Sequence, residues 1–520
     1  MSTILEITAP SLDWVLLAPM IVLFTGATLG LLVEAFAPQQ LRFSLQSVLA
    51  GLVVLTALGA QVNNWTDFTP SLQAEGAIAL DGPAYLFSII ILTFGLGGVA
   101  LFAERELGAG LSAFASSVAT VPGSPLERQA EQQRRENTEV FPLLLFSLLG
   151  MLMFVSANNL LVMFVALEIF SLPLYLLTGM ARRRRLLSQE GALKYFLLGA
   201  MASAMFLFGS ALAYGYSGGL SLGGIADALQ AGDQSYVVLL ASMLLLSVGL
   251  LFKLGAVPFH SWAPDAYTGA PTPVTAFMAA ATKTAAVAGL LRVFFVALGG
   301  ARWDWQPVFA VLAVITMLVG AAVALRQTDV KRLLAYSSIA HAGFLLVGVV
   351  GTSIVGISTI GAIGFYMLAY GLATFGAFTI VMMVRRAGGE ATDIESWNGL
   401  GRRHPWLAAA MTLFLLSFAG IPLTAGFVGK LVVFATAWVG GFGWLVLIAV
   451  FMSVVAAFLY LKLVVAMWFA EPDPDQAGEV AVSSLWAWSV LVVCVIGTVV
   501  LGILPGAVLG LGAQTGLFIR

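Results

Sequence analysis

Apolar stretches of bilayer-spanning length recur from one end of the chain to the other. They cover residues 12–36, 43–62, 83–103, 140–156, 158–180, 190–214, 236–258, 274–299, 307–325, 333–350, 357–384, 405–438 with an interruption, 443–469 and 484–509. A helix needs about 20 mostly apolar residues to cross the hydrocarbon core. The pattern therefore predicts an all-α, polytopic membrane protein with about fourteen transmembrane helices. No soluble domain is visible, and the longest polar insert, Glu104–Glu139, reads as a loop. The first apolar run follows Asp13, lacks a positive leader and is longer than a signal-peptide core, so it reads as a span.

Composition narrows the possibilities. Of 520 residues, 60% are hydrophobic and 10% charged, against roughly 25% charged in soluble domains. Mean hydropathy is +0.99. That leaves too little polar surface for a water-soluble enzyme, a nucleic-acid binder or a secreted disulfide scaffold. The single cysteine, Cys494, lies in an apolar run. Iron–sulfur clusters typically take four thiolates, so this chain is expected to carry none of its own. Three scattered histidines make no convincing metal site.

Charge placement says more than the net charge of −2. Sixteen cations (Arg42, Arg105, Arg128, Arg134, Arg135, Arg182 to Arg185, Arg326, Lys331, Arg332, Arg385, Arg386, Arg402 and Arg403) all fall in loops after odd-numbered spans. Loops after even-numbered spans hold only Arg302. The 470–483 loop departs from the pattern, with four acids and no cation, but acids count little in topogenesis. Positive loops stay cytoplasmic, which puts both termini on the outer side of the membrane.

Lysine behaves differently from arginine. Of six lysines only Lys331 lies in a loop, while Lys194, Lys253, Lys283, Lys430 and Lys462 fall within or near the ends of apolar spans. A lysine at mid-bilayer costs about 2.5–3.5 kcal/mol on insertion scales. Snorkelling accounts for Lys462, near a span end. Lys253, Lys283 and Lys430 follow long apolar runs and need a function, and Lys194 is balanced between the two readings. Burial lowers a lysine's affinity for its proton, whereas arginine stays protonated. A row of buried lysines thus suits proton handling. The one acid well inside a span is Glu168, which alone would be costly and paired with a lysine would couple the two protonation states. The bland alternative is a satisfied structural ion pair.

Two spans look broken. In LLLSVGLLFKLGAVPFHSW, Pro258 follows Lys253, and in LFLLSFAGIPLTAGFVGK, Pro422 frees the Phe418 carbonyl while Gly420, Gly426 and Gly429 loosen the same turn ahead of Lys430. Interrupted helices in corresponding halves of a chain point to a transport site, and unwound backbone at that depth is tolerated where it lines a cavity. His341 follows Tyr336, Ser337 and Ser338, a set able to relay protons. His260, just past Pro258, is a second candidate.

The segments EGALKYFLLGAMASAMFLFG, GLLFKLGAVPFHSWAPDAYTGAPTPVTAFMAAATKTAA, VKRLLAYSSIAHAGFLL and GIPLTAGFVGKLVVF resemble the antiporter-like membrane subunits of respiratory complex I over roughly residues 140–470. Lysine at position 430 fits the subunit N type, where the M type would carry glutamate. The lateral carboxy-terminal helix of the L type is not expected here. The resemblance implies two inverted five-helix repeats, at 140–299 and 307–469, each with one broken helix. Around them lie a three-helix segment at 1–103, the polar insert at 104–139 and a last span at 484–509.

It implies that Glu168 is the acid of the fifth span, Lys253 its partner on the seventh, Lys283 the central lysine of the eighth and Lys430 the terminal lysine of the twelfth. His341, Lys194 and His260 are further relay candidates. The implied function is proton translocation as a non-redox subunit of NADH:quinone oxidoreductase. NADH, FMN, iron–sulfur clusters and quinone would sit in partner chains: an M-type subunit, small K- and J-type subunits and a hydrophilic redox arm. The alternative is the large subunit of a multi-subunit Na⁺/H⁺ antiporter, which shares the motifs. A self-contained secondary transporter fits the composition but not the resemblance.

Overall fold

The computed structural model describes residues 12–520 apart from 67–68, 109, 116–120, 122–123, 127–128, 130–132, 134–135, 233, 352–357, 387–388, 474, 476 and 517. Arg128, Arg134 and Arg135 thus lie outside the described residues.

In lipid, backbone N–H and C=O groups must be satisfied inside each helix, so only helix ends need help from side chains. Asp81 accepts from Ala84 N at 3.0 Å, Asn159 from Leu161 N at 2.8 Å and Asp329 from Arg332 N at 2.9 Å, capping the third, fifth and tenth spans. Proline opens the third, eighth and twelfth spans, where its missing N–H would have no partner anyway. Among the described residues twelve helices are long and apolar enough to cross a membrane, Val140–Ser156 is a shorter apolar helix, and Pro405–Ala419 with Ala425–Val439 form one broken span. These correspond to the fourteen apolar stretches of the sequence. The spans that matter below are the fifth (Leu160–Thr178), sixth (Arg185–Ser217), seventh (Tyr236–Leu254), eighth (Thr272–Ala297), tenth (Val330–Val350), eleventh (Thr359–Met383) and thirteenth (Gly443–Trp468). The eighth is buried throughout its most apolar stretch and the tenth and eleventh nearly so. The second, sixth and thirteenth turn Leu52, Phe208 and Phe458 outward.

Contacts between loops follow the parity of the charges. On one face, Arg182 Nε donates to Phe114 O at 3.0 Å, Arg184 to Thr392 Oγ1 at 3.1 Å and Arg403 to Gly478 O at 2.7 Å, joining loops that follow odd-numbered spans. On the other, Asn158 N donates to Ala77 O at 2.8 Å and Tyr236 to Asp304 at 2.5 Å. Both ends of the described chain join that second face, Asp13 N to Gln73 Oε1 at 3.1 Å and Ile519 N to Asp81 Oδ2 at 3.2 Å.

Several expectations change in detail. The 215–235 loop contains the helix Leu222–Ala231, the 63–82 loop a hairpin pairing Ser71–Gln73 with Ile78–Leu80, and the last span ends at Ile503 before a further helix, Gly506–Gln514. Lys331 is not a solvated loop residue. It is buried in the first turn of the tenth span, where it donates to Ala270 O at 3.0 Å and Thr272 Oγ1 at 2.9 Å. Helix at the second break resumes at Ala425, so Gly426 and Gly429 do not loosen it. They allow close packing instead: a Cβ on Gly426 would lie 1.9 Å from Ser417 O.

Candidate functional site

Both breaks are built the same way. Gly255 (φ +76°) ends the seventh span and Gly420 (φ +82°) the first half of the twelfth, each in the left-handed region that glycine adopts without strain. In each, the glycine N–H reaches back to the carbonyl four residues earlier, and the next N–H reaches the same carbonyl: Leu251 in one case, Leu416 in the other, all at 3.0 Å. Proline follows and prevents continuation. The carbonyls left over take side-chain donors. Trp262 Nε1 donates to Phe252 O at 3.0 Å at the first break. At the second, Lys430 Nζ donates to Phe418 O at 2.8 Å, Ala419 O at 3.1 Å and Ser453 Oγ at 2.7 Å. The carbonyl freed by Pro422 is thus held by the lysine whose presence at that depth needed an account.

Lys253, Lys283, Lys430 and His341 are all buried. Lys253 Nζ donates to Tyr175 Oη at 3.2 Å and sits 5.0–5.7 Å from the ring centroids of Phe170, Tyr175, Tyr195 and Phe252. Rings at that range attract a cation through their quadrupoles. Glu168 and Lys253 make no ion pair within 4.0 Å. Glu168 shares a stripe of the fifth span with exposed Leu161, Val165, Leu172 and Leu176, and its Oε1 is buried without a hydrogen-bond partner. The structure therefore puts a tyrosine hydroxyl, not the carboxylate, in contact with Lys253.

Lys283 follows a π-helical stretch, Met278–Thr282, and donates to Ser338 O at 2.6 Å. Its Nζ lies 3.9 Å from where a Cβ on Gly255 would be, so it sits over the first break. Next to Ser338, Ser337 Oγ and Tyr460 Oη are 2.5 Å apart, Tyr460 Oη and His341 Nε2 3.2 Å, and His341 Nδ1 and Tyr366 Oη 2.6 Å. A neutral imidazole donates through one nitrogen and accepts through the other, so a histidine between two phenols can pass a proton by exchanging tautomers. Tyr366 packs on Gly429, one residue before Lys430. The tenth, eleventh, twelfth and thirteenth spans thus place a hydroxyl–imidazole–hydroxyl chain between Lys283 and Lys430.

Two candidates stand apart. Lys194 is 43% exposed and pairs with Glu190 at 2.6 Å and Asp265 at 2.7 Å. His260 is half-buried in the segment after the first break, with Nδ1 unpaired. Lys462 donates to Gln327 O at 3.1 Å from an exposed position, as a snorkelling lysine would. Sequence reasoning missed Tyr175, Tyr366, Tyr460 and Ser453, which look like ordinary span residues. It also missed Arg292, fully buried and bidentate on Asp81 at 3.0 and 2.7 Å, with Nε on Val155 O at 2.8 Å. The signal was present, because Arg292 is an arginine inside an apolar run.

Residues 157–456 match the family described as NADH:quinone oxidoreductase/Mrp antiporter, TM. The chain is 53% identical to NADH-quinone oxidoreductase subunit N of Cutibacterium acnes, over 99% of this chain and 97% of that protein. A chain of respiratory complex I from Thermus thermophilus superposes with a TM-score of 0.76 at 33% identity, covering 95% of this chain and 98% of that one. A chain of the Mrp complex from Dietzia sp. has a TM-score of 0.79 at 20% identity, covering 97% of each, a likeness of fold alone. The buried lysines, the paired breaks and this near-full-length likeness lead to one assignment: the chain belongs to the subunit N family of NADH-quinone oxidoreductases, the antiporter-like membrane subunits of respiratory complex I.

Proposed function

We propose that this chain carries protons as the redox-inactive subunit N of a membrane NADH-quinone oxidoreductase, through Glu168, Lys253, Lys283, His341 and Lys430. The observation that carries the reading is the buried hydrogen-bonded chain Ser337–Tyr460–His341–Tyr366, which lies between Lys283, bonded to the neighbouring Ser338 O, and Lys430, bonded to carbonyls exposed by a broken helix. Lysine is the suitable cation, since it can release and regain a proton where arginine cannot. NADH oxidation, flavin, iron–sulfur clusters and quinone chemistry belong to other chains, and this chain's part is to hold and move protons. Within it, 140–299 and 307–469 act as the two related halves, flanked by 1–103, the insert 104–139 and the last span at 484–509. Membrane-arm subunits of the M, K and J types and a hydrophilic redox arm are the partners. The arginine-rich face is cytoplasmic, with both termini on the outer side of the plasma membrane.

Proteoliposomes containing the assembled complex test this directly. NADH oxidation should drive proton translocation that falls in variants of the buried row while electron transfer persists. Pumping unaffected by every one of those variants would remove the role. The antiporter alternative shares the fold. Co-purification separates the two, because a complex I subunit brings cluster-bearing hydrophilic partners and an antiporter subunit only membrane ones.

A further inference from the structure

On the arginine-rich face, away from the lysine row, a cavity of about 90 Å³ opens between the start of the 104–139 insert, the Arg182–Arg184 turn, the 268–272 segment and the end of the eleventh span. Five cations face it, Arg182, Arg183, Arg184, Lys331 and Arg385, against two carboxylates, Glu104 and Glu390. Both carboxylates are already occupied. Glu104 accepts from Glu106 N at 2.8 Å, Leu107 N at 3.2 Å, Ser484 N at 3.0 Å and Ser484 Oγ at 2.5 Å. Glu390 accepts from Thr272 Oγ1 at 2.7 Å and pairs with Lys331 at 3.5 Å.

Some of the cations are committed too: Arg182 to Phe114 O, Arg184 to Thr392 and Lys331 to Glu390. Arg183 and Arg385 differ. Arg385 is half-buried, its side chain's one hydrogen bond among the described residues is a long 3.5 Å contact from Nη1 to Met382 O, and Arg183 brings a like charge to the same cavity. Burial, chiefly, and that like charge pull Arg385 below the ordinary guanidinium value, against the attraction of Glu390 and Glu104. Arg183 packs its Cδ 3.1 Å from where a Cβ on Gly389 would stand, so its stem is held at the cavity wall. Among the described residues neither guanidinium has a carboxylate within 4.0 Å. Two guanidinium groups lining one cavity without a bonded carboxylate leave their donor forks open, and planar guanidinium forks match the oxygens of a phosphate.

We propose that this cavity binds a phosphate group between Arg183 and Arg385, carried by an anionic lipid headgroup or by a soluble phosphate. Basic clefts between spans at headgroup level are where anionic lipids are held. The proposal also gives the insert a role: Leu107, Gly108 and Leu111 to Ala113 supply one wall of the site, and Phe114 and Ala115 pair with the 180–182 turn that presents the arginines.

The test is protection from phenylglyoxal, read peptide by peptide by mass spectrometry on the purified complex. Inorganic phosphate and dihexanoyl phosphatidylglycerol are the two probes, each compared with sodium chloride at equal ionic strength. Arg402, exposed and outside the cavity, is the internal reference. The expected result is at least a severalfold slowing of Arg183 and Arg385 modification relative to Arg402, with Arg183→Gln weakening the protection of Arg385. Protection by phosphatidylglycerol but not phosphate identifies a lipid headgroup, and protection by phosphate identifies a soluble ligand. Protection by neither probe, or equal protection by chloride, overturns the proposal.

Discussion

Replacing Lys253 by methionine separates a proton-carrying role from a structural one, because the structure sets how much stability the change can remove. The lysine gives up one hydrogen bond, to Tyr175 Oη at 3.2 Å, and four ring contacts at 5.0–5.7 Å. A hydrogen bond to a charged group contributes about 1.5–3 kcal/mol and a desolvated cation–π arrangement about 2 kcal/mol. Removing the ammonium also removes its desolvation cost, which is several kcal/mol for a buried ion. Methionine reproduces the unbranched stem and packs well against rings. These terms nearly cancel, and the change in stability should stay within about 2 kcal/mol. A directly paired Glu168–Lys253 would behave differently, since breaking a buried pair costs about 3–5 kcal/mol, but no such contact exists.

Lys253→Met should therefore assemble normally, judged by native electrophoresis and thermal unfolding. It should lose proton translocation in proteoliposomes, measured with a pH-sensitive dye against NADH oxidation. Lys253→Arg keeps the charge inside the same ring cage but cannot release its proton, so it too should pump poorly. Loss of assembly in the methionine variant would refute the energetic argument, and full pumping by the arginine variant would refute the relay.

Lys430→Met leaves Phe418 O without a donor while Ser453 still donates to Ala419 O at 3.0 Å; thermal unfolding should show a loss of about 1–3 kcal/mol, together with a pumping defect. Tyr460→Phe removes the hydroxyl between Ser337 and His341 at almost unchanged volume, and the pumping assay should show reduced translocation with the complex intact. Arg292→Met strands Asp81 at 0% exposure, so assembly or melting temperature should fall by the equivalent of about 3–5 kcal/mol, well beyond any lysine variant. Single cysteines at Ser124 and Ser221 should react with a membrane-impermeant label from opposite sides, with Ser221 reached from outside; labelling of Ser124 alone from outside would invert the orientation.

The spans, their alternating sidedness and the sites of the two breaks were legible in the sequence because each depends on local chemistry. Twenty apolar residues must form a helix in lipid, arginine clusters cannot cross it, and a glycine with a proline just beyond it at the end of an apolar run stops the helix there. The anomaly of Lys253, Lys283 and Lys430 was legible for the same reason, since a charge in an apolar run is costly whatever surrounds it. What each charge touches was decided only by tertiary structure. Nearly every span is apolar on all sides, so no polar stripe reveals which face meets which neighbour. Packing alone brings Tyr175, rather than Glu168, to Lys253, and sets Tyr460 and Tyr366 on either side of His341. Packing likewise buries Lys331 at the start of a span and joins Arg292 to Asp81 across 211 residues of sequence. A buried polar group must find its partner in three dimensions, and in a chain this uniformly apolar the partner's address is written only in the fold.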